Sequence, residues 1–168
     1  MTIGLLKEPE GEHRVALLPE SVKSLISLEV NVWVESQAGN HAFVSDTDFE
    51  KSGAKISQRE EVLKADLILG INPPTSTELE TLKAEQVLVC VFQPLSNKDL
   101  VERFLKLGIT SFSMDNVPRT TRAQAMDILS SMATVAGYKA VLMAASHSPR
   151  FFPMFMTADG SIIPSKVL

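Results

Sequence analysis

The feature that most restricts what this chain can fold into is a regular alternation over its first 113 residues. Short apolar or β-branched runs alternate with segments patterned at helical spacing. "TIGLL" (2–6), "VNVWVE" (30–35), "DLILGI" (66–71), "VLVCVF" (87–92) and "ITSFS" (109–113) read as strands. Between them, "PESVKSLISLE" (19–29), "SQREEVLKA" (57–65), "STELETLKA" (76–84) and "NKDLVERFLKLG" (97–108) read as helices. Pro19 stands in a first turn, Ser57 and Glu60 have capping-box spacing, and Gly108 closes the last of the four. "VLVCVF" has no polar alternation, which predicts a strand buried on both faces. Strands separated by helices pair in parallel through crossovers, so the expected fold is α/β, a parallel sheet with helices on both faces.

Ligands of such sheets sit outside the carboxyl ends of the strands. Five segments fall there: "KEPEGEHR", "SQAGNHAFVSDTDF", "NPPTST", "QPLSN" and "MDNVPRTTRAQ". The third and fourth are turn-forming by composition. The last leads into a stretch from about 123 to 146 that lacks proline, holds one glycine, Gly137, and predicts a helix linking two lobes. On that helix Asp127, Ser130, Ser131 and Thr134 form one polar stripe. Asp127 lies within reach of Arg119 and Arg122, so a carboxylate and an arginine are expected to brace the loop. Met126, Met132 and Met143 are expected to fill core. Beyond it, "FFPMFM" reads as an exposed apolar patch, "TADG" as a turn, and "SKVL" as the start of a further apolar run, which suggests a fragment or one product of a split gene.

Composition narrows the function classes. A net charge of −4, with sixteen Lys and Arg scattered along the chain, gives no electrostatic footprint for nucleic acid. One cysteine, Cys90, sits inside an apolar run, so no internal disulfide exists and a buried, inert thiol in a reducing compartment is expected. No uninterrupted apolar run approaches the roughly 18 residues of a membrane span, and no anchor is expected. His13, His41 and His147 have no evident partners in sequence and read as surface or capping groups; no metal site is expected.

"IGLLKEPEGEHRVALLPESV" resembles the opening of the alanine dehydrogenase and nicotinamide nucleotide transhydrogenase superfamily. "MDNVPRTTRAQAMDILSSMATVAGYKAV" is similar to the stretch of the transhydrogenase alpha subunit that packs over the nicotinamide end of bound NAD(H). The resemblance covers essentially the whole chain and implies a flavodoxin- or Rossmann-like N-terminal lobe at 1–125. Residues 126–168 would then be the linking helix and the start of a truncated NAD-binding Rossmann domain. The family's Gly-rich fingerprint does not occur in these 168 residues.

The two branches of the superfamily differ in chemistry. An alanine dehydrogenase holds its keto acid with an arginine, matched here by Arg14, and works with a lysine and a histidine. Those two positions carry Asn72 and Gln93, which have no proton to exchange at neutral pH. Direct hydride transfer between two nicotinamide rings has no use for an acid or base, so the resemblance implies the transhydrogenase branch and no catalytic acid–base residue. It carries the nicotinamide contacts onto Arg119, Thr120, Thr121, Arg122, Gln124, Asp127 and Ser130. Arg119, braced by Asp127, would hold the loop and reach the nicotinamide or the adjacent pyrophosphate region, Gln124 would bond across the ring region and Ser130 to the carboxamide. It further implies NAD(H) in this component, NADP(H) in a partner component, a homodimer, and a cytoplasmic position peripheral to the inner membrane through a proton-translocating complex. An alanine- or saccharopine-type dehydrogenase domain and a non-enzymatic flavodoxin-like interaction module are the alternatives.

Overall fold

The computed structural model describes residues 1–166 and divides into two compact units, Met1–Pro118 and Arg119–Leu168. The first unit is built on one sheet of six parallel strands: β1 (Thr2–Leu5), β2 (Asn31–Glu35), β3 (Lys55–Ser57), β4 (Leu67–Leu69), β5 (Val87–Cys90) and β6 (Thr110–Ser113). Their order is β3-β2-β1-β4-β5-β6. Helices α1 (Pro19–Ile26), α2 (Asp46–Lys51), α3 (Arg59–Val62), α4 (Ser76–Leu79) and α5 (Lys98–Leu107) make the connections. Successive strand residues feed two separate cores. Leu5, Val32 and Val34 join one, while Leu6, Ile68 and Leu88 join the other, so both sheet faces are covered as the α/β reading expects. The strand order reverses between β1 and β4, which places the topological switch point at their carboxyl ends.

Several local expectations need correction. The sheet has a sixth strand, β3, and the segment read as loop before it contains α2. The signal for α2 lay in "SDTD": Ser45 caps it, and the Asp48 carboxylate accepts from the Ser45 amide at 3.1 Å. Ser57 caps no helix; it ends β3 with its hydroxyl buried and unpartnered, and Gln58 is the residue ahead of α3. Helices α3 and α4 are single turns, because Ala65 bonds back to Val62 and Leu82 to Leu79, three residues away, tightening the chain before a full second turn forms. The expected stop at Gly108 is observed, with φ 68°. In β5, Leu88 and Cys90 are buried against Val62, Leu79 and Phe104, whereas Val87 and Val89 remain half-buried and belong to neither core.

The second unit holds a 3-10 turn at Thr121–Met126, the 20-residue helix α6 (Ile128–His147), and a hairpin of β7 (Phe155–Thr157) and β8 (Gly160–Ile162). The hairpin pairs antiparallel, Phe155 opposite Ile162, around the expected turn. Helix α6 starts five residues later than expected, and none of its residues is buried. Met132 and Met143 on it, and Met126 at the end of the preceding 3-10 turn, are exposed rather than core-filling. With a mean hydropathy of 1.4, α6 is also long and apolar enough to cross a membrane by length and composition. It contains no uninterrupted apolar run, because Ser130, Ser131, Thr134 and Lys139 interrupt the sequence without lowering the average below that of a span. The final "VL" of the expected apolar run lies outside the described residues.

Candidate functional site

At the switch point the chain buries a carboxylate. Glu8 follows β1 and is 8% exposed; it accepts hydrogen bonds from the Ile71 amide at 2.5 Å, the Asn72 amide at 3.0 Å and Asn72 Nδ2 at 2.9 Å. Three donors from the loop after β4 make the burial tolerable. Gly70 permits the close approach, since a Cβ there would stand 2.9 Å from the Asn72 carbonyl oxygen. Asn72 is thus held between β1 and β4, and its Oδ1 remains an acceptor. Gln93, after β5, is exposed and takes φ 47° immediately before Pro94, a conformation disfavoured both by its Cβ and by the proline. Its carbonyl accepts from the amides of Ser96 at 2.9 Å and Asn97 at 3.0 Å, which holds the strained turn in place.

A second network ties the ends of β1 and β2 to α3 and α4. Arg59 Nη1 donates to Glu35 Oε2 at 2.8 Å and to the Lys7 carbonyl at 3.0 Å, while Nε and Nη2 both donate to Glu78. Arg59 above all, then Thr75, holds the Glu78 carboxyl down to about 2. Arg14 forms a two-pronged pair with Glu12, Nε to Oε1 at 2.9 Å and Nη2 to Oε2 at 2.6 Å, and this pair likewise holds Glu12 down to about 2. Burial, with the Glu8 and Asp115 carboxylates, pushes the Cys90 thiol up to about 12, which makes it the inert core thiol expected. His13 and His41 are not isolated, contrary to the expectation: their rings lie 5.2 Å apart between centroids. Nothing in their sequence spacing of 28 residues signals that pairing; only the parallel register of β1 and β2 does. His147 ends α6, where a cation suits the helix dipole.

The second unit carries the segment singled out for the nicotinamide. Arg119, Thr120, Thr121, Arg122 and Gln124 are all exposed on the 3-10 turn or just ahead of it. Asp127 is the N-cap of α6 and not part of a stripe along it: Oδ1 accepts from the Leu129 amide at 3.0 Å and the Ser130 amide at 3.2 Å, and Oδ2 from Ser130 Oγ at 2.6 Å. These bonds, the Ser130 hydroxyl first, lower its carboxyl below the usual range. The expected arginine brace does not close into an ion pair, since among the described residues none reaches Asp127; Arg119 contributes only a smaller, longer-range lowering of the Asp127 carboxyl after the helix-cap bonds. Ser131 and Thr134 donate back to the Asp127 and Ser130 carbonyls. Ser130 gives its one hydroxyl proton to Asp127 and can only accept from a ligand.

Comparison with known proteins gives a consistent set of relatives. Residues 4–136 match the family described as alanine dehydrogenase/PNT, N-terminal domain. The chain is 40% identical over 169 residues to the NAD(P) transhydrogenase subunit alpha of Haemophilus influenzae, covering 100% of this chain and 33% of that protein. It is 32% identical over 149 residues to alanine dehydrogenase 1 of Staphylococcus aureus, covering 88% and 39%. The crystal structure of a transhydrogenase from Sinorhizobium meliloti superposes with a TM-score of 0.89 at 38% identity, covering 98% of this chain and 50% of that one. The chain thus spans a third to a half of the length of the proteins it matches.

Proposed function

The chain belongs to the alanine dehydrogenase/PNT N-terminal domain family, and from that premise we propose that it is part of the NAD(H)-binding component of a proton-translocating NAD(P) transhydrogenase. The observation that carries the choice between the two branches is the chemistry of the switch point. Asn72 is an amide pinned to a buried Glu8, and Gln93 is an amide on a strained turn; neither can pass a proton to a keto acid. Hydride passing from one nicotinamide ring to another requires no such proton.

The residues of the second unit fit the nicotinamide end of a dinucleotide. Arg119, Arg122 and Gln124 present exposed donors, and among the described residues neither arginine is in an ion pair. Asp127 fixes the polarity of Ser130 so that its oxygen receives an N–H, as a carboxamide offers. Thr120 and Thr121 complete the loop. The dinucleotide, when bound, supplies the hydride; these side chains hold one ring face toward its acceptor, and positioning of this kind accounts for several kcal/mol of a barrier. The pyrophosphate requires a Gly-rich turn that this sequence does not contain. Residues 126–168 are accordingly assigned as the linking helix and the entry to a second, nucleotide-binding domain. The exposed apolar residues of α6, together with Phe151 and Met156, support a dimer partner or second lobe covering this unit in the complete protein. NADP(H) belongs to a partner component, and the assembly lies on the cytoplasmic side of the inner membrane.

The test is an assay of the complete protein mixed with its NADP-binding partner. Hydride transfer between NADH and NADP⁺, with no amination of pyruvate, is the expected outcome. Pyruvate amination without transhydrogenation would place the protein on the dehydrogenase branch, and neither activity would leave an interaction module.

A further inference from the structure

The two histidines that sequence left apart stand together on braced loops at the carboxyl edge of the first unit. His13 lies after β1 and His41 after β2, both exposed, with ring centroids 5.2 Å apart and planes inclined by 46°. Zinc takes an imidazole nitrogen at roughly 2.0–2.1 Å, so two imidazoles at a tetrahedral angle on one ion place their ring centroids about 5 Å apart. We propose that His13 and His41 form a two-histidine site for a borderline divalent transition metal, Zn²⁺, Ni²⁺ or Cu²⁺, that staples the β1 loop to the β2 loop.

Both rings stand on loops whose backbone is fixed by local bonds. His41 sits in a 3-10 turn, Asn40–Ala42, closed by the Ala42 amide to the Gly39 carbonyl at 2.9 Å and the Val44 amide to the same oxygen at 3.0 Å. The adjoining Asp46 carboxylate fixes the start of that loop by accepting from Ser36 Oγ at 2.9 Å and the Gln37 amide at 2.7 Å. His13 is flanked by Glu12 and Arg14, whose mutual pair holds its backbone, and the Glu12 amide donates to the Pro9 carbonyl at 3.1 Å. A loop already held in place has little backbone entropy left to lose on binding. Among the described residues no group of three His, Cys, Asp or Glu side chains could hold a metal, so water completes the coordination shell. Imidazole nitrogens select zinc, nickel and copper over magnesium and calcium, which take oxygen ligands.

The site is independent of the nucleotide reading. It is tested by titrating the metal-free full-length protein with Zn²⁺ alone in a calorimeter, beside Mg²⁺ as control, for wild type, His13→Ala, His41→Ala and His147→Ala. The expected result is one zinc event, no magnesium event, an affinity at least about tenfold weaker in each of the first two variants, and no change in the third. Circular dichroism at matched concentration verifies that the variants are folded. In wild type, zinc should also shift the side-chain imidazole resonances of His13 and His41 together. Zinc binding that survives both single substitutions, or that shifts only one of the two rings, would overturn the proposal, as would no binding at all.

Discussion

Replacing Arg59 by methionine tests whether the partly buried charge network at the ends of β1 and β2 holds the first unit together. The substitution keeps the aliphatic stem and removes the donors to Glu35, Glu78 and the Lys7 carbonyl. Breaking a fully buried pair by deleting one partner costs about 3–5 kcal/mol. Here the side chains of Arg59, Glu35 and Glu78 are 29%, 12% and 21% exposed, so water screens part of that and about 2 kcal/mol is expected at pH 7. The loss is also pH-dependent. Glu78 is held down to about 2 from 4.5, so its contribution is complete above the ordinary carboxylate value and is lost as pH falls toward 2. Unscreened, that displacement converts to about 3 kcal/mol, and exposure reduces it to roughly 1.5 kcal/mol. Urea unfolding at pH 7 and pH 3 should therefore show the gap between wild type and Arg59→Met narrowing to about 1 kcal/mol at the lower pH. Glu12 is held down in the same way by Arg14, but it is present in both proteins and cancels from the comparison. A gap that is the same at both pH values, or below about 0.5 kcal/mol at pH 7, would refute the reasoning.

Phe43 is 98% exposed with φ 60°, so Phe43→Gly should raise the urea midpoint by the equivalent of about 0.5–1 kcal/mol, while Phe43→Val should lower it. Cys90, buried with its thiol pushed up to about 12, should resist a water-soluble disulfide reagent under native conditions and react fully in urea. Asp127→Ala removes the cap of α6, and amide exchange should accelerate at Leu129 and Ser130 while the strands of the first unit stay protected.

The architecture was legible because periodicity reports burial. Runs such as "TIGLL" and "VLVCVF" leave a chain few options other than parallel strands under helices. What escaped was short or shared. β3 is three residues long and begins with Lys55, and α2 announces itself only through a Ser45–Asp48 cap with Asp where Glu is the usual signal. At the candidate site the sequence proposes residues but does not reveal their bonds. Asp127 and Arg119 are close in sequence and opposite in charge, yet the four unsatisfied amides at a helix start claim a nearby carboxylate first. Glu8 gave no sign of burial, since its three donors come from a loop more than sixty residues away. The His13–His41 pair was hidden for the same reason: it exists only once β1 and β2 are in register.

The central claim, that the loop from Arg119 to Ser130 orients a nicotinamide ring for direct hydride transfer, is tested most directly by single-turnover kinetics. NADH is reacted with NADP⁺ in the complete protein with its NADP-binding partner, for wild type and Arg119→Ala. The account predicts a fall in the hydride-transfer rate of roughly 10- to 100-fold with NADH affinity changed by less than about threefold. An unchanged rate, or a loss confined to affinity, would contradict it.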